Sequence, residues 1–131
     1  MKVLGAVLTC LVLAVASASG GSPLQQAPAK AANTKNPLEG NERARRAGAK
    51  LYARECASCH GPDGSGSGNA PALNRDDVHQ AMPGTLFWVL RNGSLRRGMP
   101  SFGHLPDTQR WQIIVFLRGW RDAETGSPGS R

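Results

Sequence analysis

Apolar residues fall along this chain in stretches of different period, and the periods predict helices. From Asn41, the residues Ala44, Ala47, Gly48, Leu51 and Tyr52 recur at the three-and-four spacing of a helix face. Asn41 is its cap, Glu42 sits in the first turn, and Arg43, Arg45, Arg46, Lys50 and Arg54 fill the remaining faces. Pro83-Gly84-Thr85 followed by Leu86, Val89 and Leu90 predicts a second helix closed by Asn92-Gly93. Asp76 and Asp77 cap a short helical turn between the two. The continuous run Ile113 to Leu117 fits a strand or a buried helix by period alone. Pro106-Asp107 is a helix start, the patterned stretch exceeds ten residues, and no second strand exists to pair with it. The last element is therefore read as a helix from about Asp107 to Trp120, and the fold class as all-α.

The connectors set the boundaries. Gly61 to Gly68 holds four glycines, two serines, Pro62 and Asp63, a composition that forms a loop. Ser94 to Leu105 is a second loop and carries Met99-Pro100. Before the domain, Met1-Lys2 leads into an apolar run from Val3 to Ala16 that ends in Ala16-Ser17-Ala18, the three parts of a secretory signal. The reading is a signal peptide over 1–18, a flexible tether over 19–36, a domain over 37–121 and a polar disordered tail over 122–131. Cys10 as a lipidated cysteine is the alternative at the N-terminus, but Thr9 suits that cleavage poorly and few apolar residues precede it.

With 131 residues the chain has room for one compact domain. Its formal charge of +7 becomes +6 once Lys2 leaves with the signal. Export by the signal to the periplasm or otherwise out of the cell, and the lack of an aromatic-interleaved basic run, argue against nucleic acid as the partner of that charge. Membrane association would come only through a partner or through an uncleaved or lipidated N-terminus. Cleavage also removes Cys10, leaving Cys56 and Cys59 in an oxidising compartment. A disulfide between cysteines two residues apart closes a tiny loop and constrains little of the unfolded chain, so stability is a poor motive for the pair.

Cys56-Ala57-Ser58-Cys59-His60 has the spacing of a haem c attachment site, with two thioethers to the vinyl groups and an imidazole placed under the iron. A thioredoxin-like pair should stand beside a βαβ pattern, which is missing here. A zinc site needs further ligands, and His79 and His104 are isolated in the sequence and read as solvated or locally bonded. Met99, in a loop with Gly98, Pro100 and Gly103, is the candidate sixth ligand, and a thioether there raises the potential and closes the iron to exogenous ligands. Met82, which also precedes a proline, is the competing methionine.

From Asn41 to Trp120 the chain resembles the class I c-type cytochromes, on the five-residue motif, Gly48 and Tyr52 of the first helix, Pro71 and Leu73 after the glycine loop, Arg91-Asn92-Gly93, and Gly98 to Phe102. That resemblance implies N- and C-terminal helices crossing at Gly48 and Tyr52 against Ile113, Phe116 and Leu117, with loops around one haem. It also implies that the Pro71 carbonyl accepts the His60 Nδ1 proton. The leading function is one-electron transfer by a periplasmic carrier through haem c and its iron. Its alternatives are a subunit docked on a dehydrogenase or terminal oxidase, and a haem enzyme with an open iron such as a peroxidase. Redox proteins with an acidic docking face are the expected partners, with Arg91, Arg96 and Arg97 as contacts.

Overall fold

The computed structural model describes residues 21–120, so the expected signal peptide over 1–18 and tail over 122–131 lie outside the described residues. Among the described residues six α-helices run in the order α1 Ala29–Ala32, α2 Glu42–Glu55, α3 Ala57–His60, α4 Asp76–Gln80, α5 Pro83–Asn92 and α6 Asp107–Arg118. Short 3₁₀ turns occupy Pro23–Gln25 and Leu95–Arg97. Extended pairing among the described residues is limited to two isolated bridges, Ser67 with Ala70 and Ser94 with Met99. The domain is all-helical, in line with a cytochrome c-like fold.

The axis of the fold is α2 packed on α6. Asn41 Oδ1 accepts from Ala44 N at 2.9 Å and so starts α2. Gly48 lets the two backbones touch, since a Cβ there would lie 1.9 Å from the Gln112 carbonyl oxygen. One turn on, the Tyr52 ring lies 5.4 Å from Phe116 and 4.9 Å from Trp120, the latter edge to face. Ile113 and Ile114 are wholly buried, and each such side chain contributes roughly 1.5–3 kcal/mol of transfer free energy. Leu86 and Leu90 of α5 close the same cluster, together with Val78, Phe102, Leu105 and Trp111.

The segment expected to be a flexible tether is, from Gly21 onward, folded onto this core. Ser22 Oγ accepts from Leu24 N at 3.3 Å and Gln25 Oε1 accepts from Ser22 N at 3.1 Å, so the first 3₁₀ turn is capped by its own side chains. α1 lies against α5, where a Cβ on Gly84 would come 2.0 Å from the Ala31 carbonyl oxygen. Asn36 is buried, with Nδ2 donating to the Trp111 carbonyl at 3.1 Å and Oδ1 accepting from Leu38 N at 2.9 Å. Caps and backbone contacts hold the segment, and neither leaves an apolar period in the sequence.

His79 and Arg110 also enter the interior. His79, expected to be solvated or locally bonded, is buried and pairs its Nδ1 with the Leu117 carbonyl at 3.0 Å, linking α4 to α6. Arg110 is also buried. It donates to the Phe102 carbonyl at 3.1 Å, pairs with Asp107 and lies 4.8 Å over the Phe87 ring, while its Nε is buried without a partner.

Candidate functional site

α2 hands the chain directly to the cysteine motif. Cys56 N donates to Tyr52 O at 2.9 Å as the last bond of α2, and Cys56 O then accepts from His60 N at 2.9 Å, opening the single turn of α3. That turn brings Cys56, Cys59 and His60 together. Cys56 is buried in the core, Cys59 is exposed, and the two are not joined in a disulfide. Burial, reinforced by the charges of Glu55 and Cys59, pushes the Cys56 thiol up to about 12. A thiolate nucleophile of the thioredoxin type needs the opposite shift. Among the described residues no group of three or more His, Cys, Asp and Glu side chains gathers as a zinc site would require.

The loop after α3 folds back over the histidine. Gly66 N donates to His60 O at 2.8 Å and Leu73 N to Gly64 O at 2.7 Å, so residues 61–73 close into a tight arch. Tyr52 Oη ties the arch to α2 by donating to Gly61 O at 2.7 Å. The Tyr52 ring is buried, and that burial raises its phenol to about 12. Asp63 braces the outside of the arch: its Oδ1 accepts from Ser65 Oγ at 2.7 Å, and this bond lowers its carboxyl below the ordinary range. The arch delivers Pro71. His60 is buried, with Nδ1 lying 2.8 Å from the Pro71 carbonyl oxygen. Because a carbonyl only accepts, Nδ1 carries the proton and Nε2 is the ring nitrogen with a lone pair to offer.

Met99 stands on a separate loop. Ser94 N donates to Met99 O at 2.9 Å and Met99 N to Ser94 O at 3.1 Å, which pinches residues 94–99 into a closed turn. Its side chain is half-buried against the apolar cluster that includes Cys56, and this cluster is its link to the cysteine turn. Met82 is 47 % exposed and instead lines a groove with Ser22, Leu24 and Thr85. Arg91 is exposed just before the Met99 turn, and Arg96 and Arg97 are exposed within it.

The two cysteines are consistent with a haem c attachment motif. Two thiols one helical turn apart precede a buried imidazole whose second nitrogen is already engaged, and a thioether sits at the edge of the same apolar cluster. The fold and the site thus define a c-type cytochrome-related domain. Residues 43–117 match the family described as cytochrome c oxidase, cbb3-type, subunit III, and the chain belongs to that family. The match is that of an electron-transfer domain related to a cytochrome subunit of a terminal oxidase. The chain is also 37% identical over 87 residues to the quinohemoprotein alcohol dehydrogenase ADH-IIG of Pseudomonas putida, a match covering 63% of this chain and 12% of that protein. The family is that of an oxidase subunit and the relative is a much longer dehydrogenase, which favours the docked-subunit reading over the free carrier. No helix among the described residues is long and apolar enough to cross a membrane.

Proposed function

We propose that this chain carries one haem c joined to Cys56 and Cys59, with its iron held by His60 and Met99, and passes single electrons as the cytochrome component of a periplasmic dehydrogenase or terminal oxidase. The observation that carries the reading is the one-turn presentation of Cys56, Cys59 and His60 with His60 Nδ1 at 2.8 Å from the Pro71 carbonyl. When bound, the haem supplies a one-electron couple, and the protein supplies orientation and surroundings. Cys56 and Cys59 anchor one edge of the macrocycle. The Pro71 carbonyl fixes the His60 tautomer and ring direction and leaves Nε2 free to ligate. Met99 completes the ligand set and excludes small exogenous ligands, which sets the peroxidase alternative aside. Membrane association comes through the partner, whose docking face is acidic and meets Arg91, Arg96 and Arg97.

Covalent attachment is tested by denaturing electrophoresis of the periplasmically expressed chain. The expected result is a haem-stained band at the mass of the polypeptide, lost when both Cys56 and Cys59 are replaced by serine. A wild-type chain that sheds all its haem on denaturation refutes the attachment.

A further inference from the structure

The folded segment at residues 21–36 lies outside the 43–117 match to the family, yet it reaches the neighbourhood of Met99. It meets the domain along its length, with Leu24 packed on the core cluster. At one end Asn36 is buried on the Trp111 carbonyl. In the middle a Cβ on Gly84 would lie 2.0 Å from the carbonyl oxygen of Ala31, 2.7 Å from that of Ala32 and 2.8 Å from that of Thr34. At the other end the Gly21 carbonyl accepts from Arg97 Nη2 at 3.2 Å. Beside that bond a groove of about 520 Å³ has Gly21 and Gln26 on one wall and Asn92 to Arg97 on the other.

The second wall is the base of the Met99 turn. Ser94 and Met99 exchange both backbone hydrogen bonds. Gly93, at φ 68°, is pressed against the next residue of the loop, since a Cβ there would lie 2.6 Å from the Pro100 carbonyl carbon. Met99 is therefore placed by residues 93–97. A surface turn held by two backbone bonds opens locally at low free energy unless something backs it.

We propose that residues 21–36 form a strap that positions the Met99 turn, so that releasing the strap from α5 loosens Met99. In its haem arm this inference rests on the His60 and Met99 ligation proposed above, whereas its amide-exchange arm stands apart from it.

The test is Gly84→Ala in the full-length haem-loaded chain. Gly84 has no positive φ, so alanine suits α5, while its methyl takes the space of the Ala31 carbonyl and the strap must yield. Tryptic cleavage after Lys30 and Lys35 should then rise about tenfold or more, and amide exchange at Ser94 and Met99 should accelerate by a similar factor. The thioether-to-ferric-iron charge-transfer band should be lost at lower imidazole concentration than in the wild type. Asn36→Ala releases the other end, predicts the same pattern, and stands in if Gly84→Ala does not accumulate folded. Faster cleavage with unchanged exchange at Ser94 and Met99 overturns the proposal, as does unchanged cleavage in both variants. A wild type without the charge-transfer band, but with exchange at Ser94 and Met99 that responds to strap release, refutes the Met99 ligation and leaves the strap's role standing.

Discussion

Gly66 and Gly68 form a matched pair that isolates how the arch holds His60. Both adopt left-handed backbone, at φ 85° and 54°, so alanine at either position carries about 1–2 kcal/mol of conformational strain. Their surroundings differ. A Cβ on Gly66 would lie 2.7 Å from the Ala70 carbonyl oxygen, 2.8 Å from Ala72 N and 3.0 Å from the Pro71 carbonyl carbon, whereas a Cβ on Gly68 meets nothing within 4 Å. Those neighbours are backbone and yield only if residues 70–72 move, which adds about 1–3 kcal/mol of overpacking. Gly68→Ala should thus destabilise the haem-loaded protein by about 1–2 kcal/mol and Gly66→Ala by about 2–5 kcal/mol, read from guanidinium unfolding curves. Only Gly66→Ala shifts the Pro71 carbonyl, so only it should alter the His60 ring-proton resonances and the reduction potential. Equal losses of stability in the two variants, with His60 unmoved in both, would refute the claim that Gly66 braces the Pro71 carbonyl.

Met99→Ala should open the iron to carbon monoxide and lower the potential, while Met82→Ala should do neither, and the reverse outcome in ligand titrations would reassign the sixth ligand. Tyr52 has a phenol raised by burial from 10.0 to about 12, so the unfolded chain ionises first and stability falls as pH rises from 10 through 12. Tyr52→Phe should lack that part of the slope, and identical slopes in alkaline denaturation of the two proteins would exclude the coupling. Electron transfer with the physiological partner should slow as salt rises, because screening cuts electrostatic reach to about 8 Å at physiological ionic strength. A stopped-flow rate that is flat across a broad salt series would exclude steering.

What the sequence discloses is what burial leaves in its periodicity. The Asn41 cap, the α5 limits at Pro83 and Asn92, and a helix beginning at Asp107 are all legible, since each combines an apolar stripe with a start or stop residue. The cysteine turn is legible because five adjacent residues carry its chemistry. His79 is not, because a lone histidine on a five-residue helix has no period, and its partner is a carbonyl 38 residues away. Arg110 did leave a signal, standing three residues after Asp107 and next to an apolar run, the spacing at which a helical ion pair forms. The segment over 21–36 left none in its polar composition. Its one trace is Gly84, a glycine inside a helix where alanine would be favoured by propensity, and such a glycine marks a close approach of another backbone.

The same placement of side chains changes what the basic composition means. Residues 41–121 carry 12 Lys and Arg against 6 Asp and Glu, which taken alone suggests charge spread over the whole surface. In the fold, Arg45 and Arg46 share Glu42, Arg54 meets Glu55, Arg75 meets Asp77, Arg110 meets Asp107 and Arg118 approaches Glu39. These pairs cancel at a distance whatever each contributes to stability. Arg91, Arg96 and Arg97 all reach the surface within a few residues of Met99, beside Leu95 at 79 % exposure. Three exposed cations, Arg97 among them with a bond to the Gly21 carbonyl, and an apolar contact therefore coincide at the Met99 turn. A partner meeting that face engages the part of the loop that sets Met99, so docking and the sixth-ligand environment share one surface in the proposed cytochrome.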